Sequence, residues 1–251
     1  MKENRMLKEN KSSTENKMRV EIWSDVMCPF CFLGKHKFEE SLLKFPEKDR
    51  VEVIWKSFQL NPDLKTDTSV SIYDYLSEIK GFRIEQAKLL NMQLADSAKE
   101  YGIEFNFDKV VVANTFRAHN FLHYAKKQGK QSQAEESLFR AYFSEGKNVD
   151  DISVLNEIGR GLGLENEQLE EVLKNSTYYD DVRRDIYEAH QLGIRGVPFF
   201  VFNNKYGVSG AQDSAIFLQV IEKAYAEWHQ SNSKEIKEVI KGESCGLEGN
   251  C

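Results

Sequence analysis

The feature that most constrains the fold is Cys28-Pro29-Phe30-Cys31, because of what stands on either side of it. Before it, Val20 and Ile22 alternate with Arg19 and Glu21, the period of two expected of a half-buried β-strand that ends near Trp23. Ser24 and Asp25 follow as turn and capping types. After the pair, Phe32, Leu33, Phe38, Leu42 and Leu43 recur at helical spacing. Pro29 suits the first turn of that helix, where its missing N–H would have no intrahelical partner. A second strand is expected at 51–58, with Val51, Val53 and Trp55 on one face. Strand, turn, cysteine pair, helix and strand make a βαβ unit.

Cysteines at i and i+3 share one side of a helix's first turn and can interconvert between dithiol and disulfide. The free N–H groups and dipole of a helix start favour a thiolate, lowering a thiol from about 8.5 to roughly 3.5–7.5 in such motifs. Cys28 is therefore the expected nucleophile. Cys31, one turn inside and flanked by Phe30 and Phe32, is the expected resolving thiol, better shielded from solvent. Exchange by such a pair requires no metal and no organic cofactor. The competing readings are an inert buried pair and a four-sulfur zinc site made from Cys28, Cys31, Cys245 and Cys251, the latter making the chain a zinc-dependent interaction or holdase module. Pro29-Phe30 suits a helix start better than a zinc knuckle, and His36, His119, His123, His190 and His229 form no dense ligand pattern with cysteine.

Between about residues 71 and 192 strand patterns give way to helical ones. Helices are expected at 71–79, 84–101, 110–128, 132–143, 152–162, 167–173 and 178–192. Gly129 and Gly193 stand just past periodic runs, where a left-handed cap favours glycine. Strand character returns with Val197-Pro198-Phe199-Phe200-Val201-Phe202, Asn203-Asn204 signals a turn, 205–208 is the hairpin partner, and 214–228 is a closing helix. The expected class is α/β, with a large all-helical insertion between a βαβ and a ββα half. The divisions are a polar arm at 1–17, the first half at 18–65, the insertion at 66–192, the second half at 193–230, and a tail at 231–251 carrying a second cysteine pair.

At 251 residues the chain is long enough to bury a core without disulfide staples. With 41% hydrophobic and 29% charged residues and a net charge of -6, it falls among globular proteins and lacks a nucleic-acid footprint. It has no apolar run of about 18 residues that would span a membrane. Residues 1–17 lack the apolar stretch of a secretory signal, so a cytoplasmic location is expected, where a cysteine pair is more often catalytic or metal-binding than structural.

Taken together, these motifs resemble the DsbA-like thioredoxin superfamily, most closely its FrnE-like branch. The resemblance covers nearly all of the chain after Met18. It rests on Asp25-Val26-Met27-Cys28-Pro29-Phe30-Cys31 with Gly34, Phe58-Gln59-Leu60-Asn61-Pro62, Asn114-Thr115 with Ala118-His119, Gly193 to Phe200, and Ser209-Gly210-Ala211-Gln212. It implies a thioredoxin-like fold, protein thiol and disulfide substrates, and reduction by glutathione or a thioredoxin-type protein. It further implies that Pro198 is a cis-proline and that Val197 faces the cysteine pair and offers backbone groups to an extended substrate. Relatives often carry tryptophan at position 30, and the oxidising DsbA proteins carry histidine there. Phe30 therefore gives no reason to expect a strong oxidant. Cys245 and Cys251 are similar to the second pair of some FrnE-like proteins, read either as a relay disulfide or as incidental thiols. Asp25 is read as a cap or turn residue in preference to one that tunes the thiolate, Asn114 and His119 as capping or packing residues although relatives place their helix near the active-site groove, and Phe32, Phe199 and Phe200 as core. The same superfamily holds glutathione-dependent 2-hydroxychromene-2-carboxylate isomerases and kappa-class transferases, which use a serine or a single thiol at this place.

Overall fold

The computed structural model describes residues 17–164 and 166–232. Strand β1 (Met18–Ser24) runs parallel to β2 (Val51–Ser57), with Val20 opposite Val53. On its other side β1 pairs antiparallel with β3 (Phe199–Phe202), which pairs antiparallel with β4 (Tyr206–Ser209). The order β2-β1-β3-β4, with α1 (Pro29–Lys44) between the parallel strands and α9 (Ser214–Asn232) after the hairpin, is the expected thioredoxin-like arrangement. The closing helix continues past its expected end at Trp228 and runs on to Asn232.

The alternation in β1 places Met18, Val20 and Ile22 on one face, where they share a core with Phe38 of α1 and Phe217 and Ile221 of α9. The strand is not half-buried as expected. Trp23 and Ser24 are buried as well, because helices from the segment between β2 and β3 cover that end of the sheet. In β2, Val51 and Trp55 are buried and Val53 is partly so.

Seven helices lie in that segment among the described residues: α2 (Ile72–Lys80), α3 (Ile84–Ala98), α4 (Phe116–Lys127), α5 (Gln131–Phe139), α6 (Ile152–Gly161), α7 (Asn166–Asn175) and α8 (Tyr179–Gln191). Gly129 and Gly193 take the left-handed backbone expected of them. The start of α4 differs from expectation. Residues 107–109 form a 3-10 turn, and Val112 makes an isolated bridge with Asp67, so the β-branched run 110–112 is extended and the helix waits until Phe116. The expected helix 132–143 divides into α5 and a π-turn, Arg140–Ser144.

These helices are joined to the sheet by side chains that behave as strand partners. At the free edge of β2, the Gln131 amide accepts from the Trp55 N–H at 3.2 Å and donates to the Trp55 carbonyl at 2.9 Å. Asp185 of α8 accepts from the Ser57 N–H at 3.0 Å and pairs with Lys56 at 2.6 Å. Burial pushes the Asp185 carboxyl up, but His123, Lys56 and the Ser57 amide outweigh it and hold it below the ordinary range. An exposed edge that invites pairing with other chains is thereby covered.

Candidate functional site

Helix α1 begins as the sequence suggests, with Pro29 at its first position and Cys28 as the N-cap residue, in extended backbone. The Cys28 N–H donates to the Asp25 carbonyl at 2.9 Å, and the Cys28 carbonyl accepts from the Cys31 N–H at 3.0 Å. Both thiols are free. They differ less in exposure than expected, at 4% for Cys28 and 1% for Cys31. Phe32 is fully buried in the same core as Cys31, whereas Phe30 turns outward and is 52% exposed. Phe200 is also fully buried, and Phe199 packs beside Trp23.

Folding brings Val197 and Pro198 to the pair across 169 positions of sequence: the Cys28 thiol donates to the Val197 carbonyl at 3.5 Å. The Val197–Pro198 bond is cis. The loop is held from behind, where the Gly210 N–H donates to the Pro198 carbonyl at 2.9 Å. Gly34 allows α1 to lie against it, since a Cβ there would stand 3.0 Å from Pro198 Cγ.

Asp25 does not cap α1, which has no side-chain cap. Its carboxylate is buried and accepts the Leu60 N–H at 2.7 Å, fastening the turn after β1 to the segment after β2. His119 Nε2 lies 3.4 Å from the other Asp25 oxygen, without hydrogen-bond geometry. Asn114 has the expected capping and packing role: its side-chain oxygen accepts the Phe116 N–H at 2.8 Å and its amide donates to the Leu64 carbonyl at 2.7 Å.

Beneath Cys31 lies a polar group that the sequence reading missed. The buried Ser24 hydroxyl donates to Glu135 Oε1 at 2.7 Å. Burial pushes the Cys31 thiol well up, and the adjacent Cys28 adds to this, against the lesser opposing influence of the Asp25 amide and the Ser24 hydroxyl. Burial likewise pushes the Glu135 carboxyl up to about 7. A signal for Glu135 was available. It shares a stripe at i, i+3, i+4 and i+7 with Leu138, Phe139 and Tyr142, all buried, so it is a carboxyl on the apolar face.

The shift has a stability consequence. An acid that binds its proton more tightly when folded stabilises the fold below its ordinary value of 4.5, and this is lost as pH rises through about 7. Glu135→Gln, which is neutral throughout, should therefore be more stable than the parent at about pH 8, by on the order of 3 kcal/mol, with the gap closing by about pH 5. Urea unfolding at the two pH values measures it, and a gap independent of pH would contradict the assigned shift.

Among the described residues no group of three or more His, Cys, Asp or Glu side chains could hold a metal ion, and no helix is long and apolar enough to cross a membrane. Cys245 and Cys251 lie outside the described residues.

The four-stranded mixed sheet, the cysteine pair at the mouth of α1 and the cis-proline loop facing it define a thioredoxin-fold protein of the DsbA-like kind. The profile of the DSBA-like thioredoxin domain family matches residues 19–222, and the chain belongs to that family. A crystal structure of a probable DsbA oxidoreductase from Streptomyces coelicolor is similar at 36% identity and a TM-score of 0.79, covering 92% of this chain and 97% of that one. The uncharacterized protein YwbO of Bacillus subtilis is 29% identical over 206 residues, 81% of this chain and 96% of its own length. A 2-hydroxychromene-2-carboxylate isomerase shares the fold at 16% identity and a TM-score of 0.59, covering 86% of this chain and 98% of that one.

Proposed function

We propose that this chain is a thiol–disulfide oxidoreductase or isomerase of protein substrates, of the FrnE-like branch, working through Cys28 and Cys31. The observation that carries the reading is the meeting of two free thiols at a helix start with the carbonyl of Val197, 3.5 Å from the Cys28 sulfur. Cys28 attacks a substrate disulfide or is released from a mixed one, and Cys31 completes the exchange. An extended substrate lies along Val197 and Pro198, hydrogen-bonding the Val197 backbone. Glutathione or a thioredoxin-type protein resets the pair in the cytoplasm.

The test is the reduction of insulin by dithiothreitol followed by turbidity. The chain is expected to accelerate precipitation at catalytic concentration, and an unchanged lag would end the proposal. The likeness to an isomerase fold supplies the alternative, a glutathione-dependent isomerase or transferase. The second thiol, Cys31, weighs against it. Saturable glutathione binding, with isomerase turnover that survives Cys31→Ser, would favour that alternative over exchange.

A further inference from the structure

Helix α3 sits lightly on the rest of the molecule, since its buried side chains are the small ones of Ala87 and Ala98. One flank, carrying Lys88, Met92, Ala95 and Lys99 at helical spacing, stands off the segment 105–109, and a cleft of about 370 Å³ opens between the two. That volume falls in the range of small-molecule sites, roughly 300–1,000 Å³. None of Cys28, Cys31, Val197 and Pro198 lines it, so it is separate from the candidate functional site.

Two chemistries meet in its lining. The apolar side is held by aromatic packing: Phe105 and Phe107 are buried and stacked with ring centroids 5.0 Å apart, and each meets Phe143 edge-on, at 5.2 and 6.0 Å. Met92, 56% exposed, lines the same cleft. The polar side is cationic. Lys88, Lys99 and Lys109 face Asp96 and Asp108, three ammonium groups against two carboxylates, which leaves one positive charge in excess in a chain of net charge -6. Both carboxylates are already engaged, Asp96 by Lys99 at 2.8 Å and Asp108 by the Tyr73 hydroxyl at 2.8 Å. Lys88 Nζ stands over the Tyr73 ring, 5.3 Å from its centroid, and neither Lys88 nor Lys109 has a carboxylate partner among the described residues. A cleft lined by an excess of one charge concentrates its field and raises the local concentration of the opposite one.

We propose that this cleft binds a small organic anion with a planar aromatic body. Lys88 and Lys109 take its charge, and Met92 with the edges of Phe105 and Phe107 takes its ring. A thioether packs favourably against an aromatic ring, so Met92 suits the flat face of such a ligand. An aryl carboxylate and a nucleoside monophosphate share this chemistry. An inorganic anion would leave the apolar side unused, and a neutral arene would leave the two lysines without a counter-charge. The inference does not rest on the exchange reading above, since the cleft shares no residue with the cysteine pair or the cis-proline loop.

The experiment titrates the full chain calorimetrically with naphthoate and with adenosine monophosphate, beside neutral naphthamide and inorganic phosphate. At least one of the two aromatic anions should saturate at one equivalent, with the amide and phosphate weaker by about tenfold or more. The tighter of the two tells an aryl carboxylate site from a nucleotide site. Lys88→Glu combined with Lys109→Glu should weaken that anion by about tenfold or more, and Met92→Ala by about threefold. All three side chains are exposed, so the variants should keep the fold, and insulin reduction should be the same in them as in the parent. Saturation by neither anion, equal binding of the amide, or undiminished affinity in the charge-reversed variant would overturn the site. Binding of polyglutamate in place of both anions would overturn it too, and would make the cleft a groove for an acidic protein segment.

Discussion

Cys28→Ser is expected to return insulin reduction to the rate of dithiothreitol alone, with the fold intact. The sulfur at position 28 makes no capping bond to α1, and its polar contact is the weak 3.5 Å hydrogen bond to Val197, so little packing is lost with it. What is lost is the nucleophile: a serine hydroxyl at this place has no adjacent base aimed at it and does not attack disulfide sulfur at neutral pH. Cys31→Ser has a different outcome. Attack by Cys28 still occurs, but nothing resolves the product, so the variant should accumulate as a mixed disulfide with its substrates. Non-reducing gels and intact mass of the two variants after exposure to a peptide disulfide read this directly. Equal trapping by both, or by neither, would contradict the division of roles.

Phe32→Ala should cost about 3–5 kcal/mol of stability, as truncations of buried phenylalanine generally do. Its ring is fully buried, stacks on Phe139 at 5.0 Å and Phe143 at 6.4 Å, and meets Phe105 edge-on at 5.8 Å. It is the point at which the cysteine-bearing helix enters the core of the helical segment, so the cavity would open between two parts of the molecule. For a chain of this size the melting temperature should fall by roughly 10 °C. Phe30→Ala, two residues earlier and 52% exposed, should change stability by about 0.5 kcal/mol or less. Thermal unfolding of the two variants side by side settles it, and equal losses would mean that Phe32 does not couple the two cores.

The contrast between Phe30 and Phe32 shows where the sequence was legible. Periodicity placed both in a helix, but the shielding of Cys31 was ascribed to both, and only the structure shows Phe30 turned outward. The segments 71–79 and 84–101 reappear as α2 and α3 with small shifts, because their apolar residues recur at helical spacing. The start of α4 was misplaced because a short apolar run such as Val110, Val111 and Val112 does not by itself separate helix from extended chain, and the bridge between Val112 and Asp67 is a contact between distant parts of the chain. Asp25 holds the expected turn through its carbonyl, which accepts the Cys28 N–H, but its carboxylate serves the backbone of Leu60 rather than capping α1. Burial on both faces of β1 escaped the alternation pattern for the same reason, since the covering helices arrive from far along the sequence.

The order of strands and helices and the identity of the reactive pair were written in the chain itself, because hydrophobic period, proline and cysteine spacing act over a few residues. The meeting of Cys28 with Val197, and of Ser24 with Glu135, was decided only by the packed fold. Proton affinity and reach depend on burial and on distances between segments more than a hundred residues apart, and no local pattern encodes those.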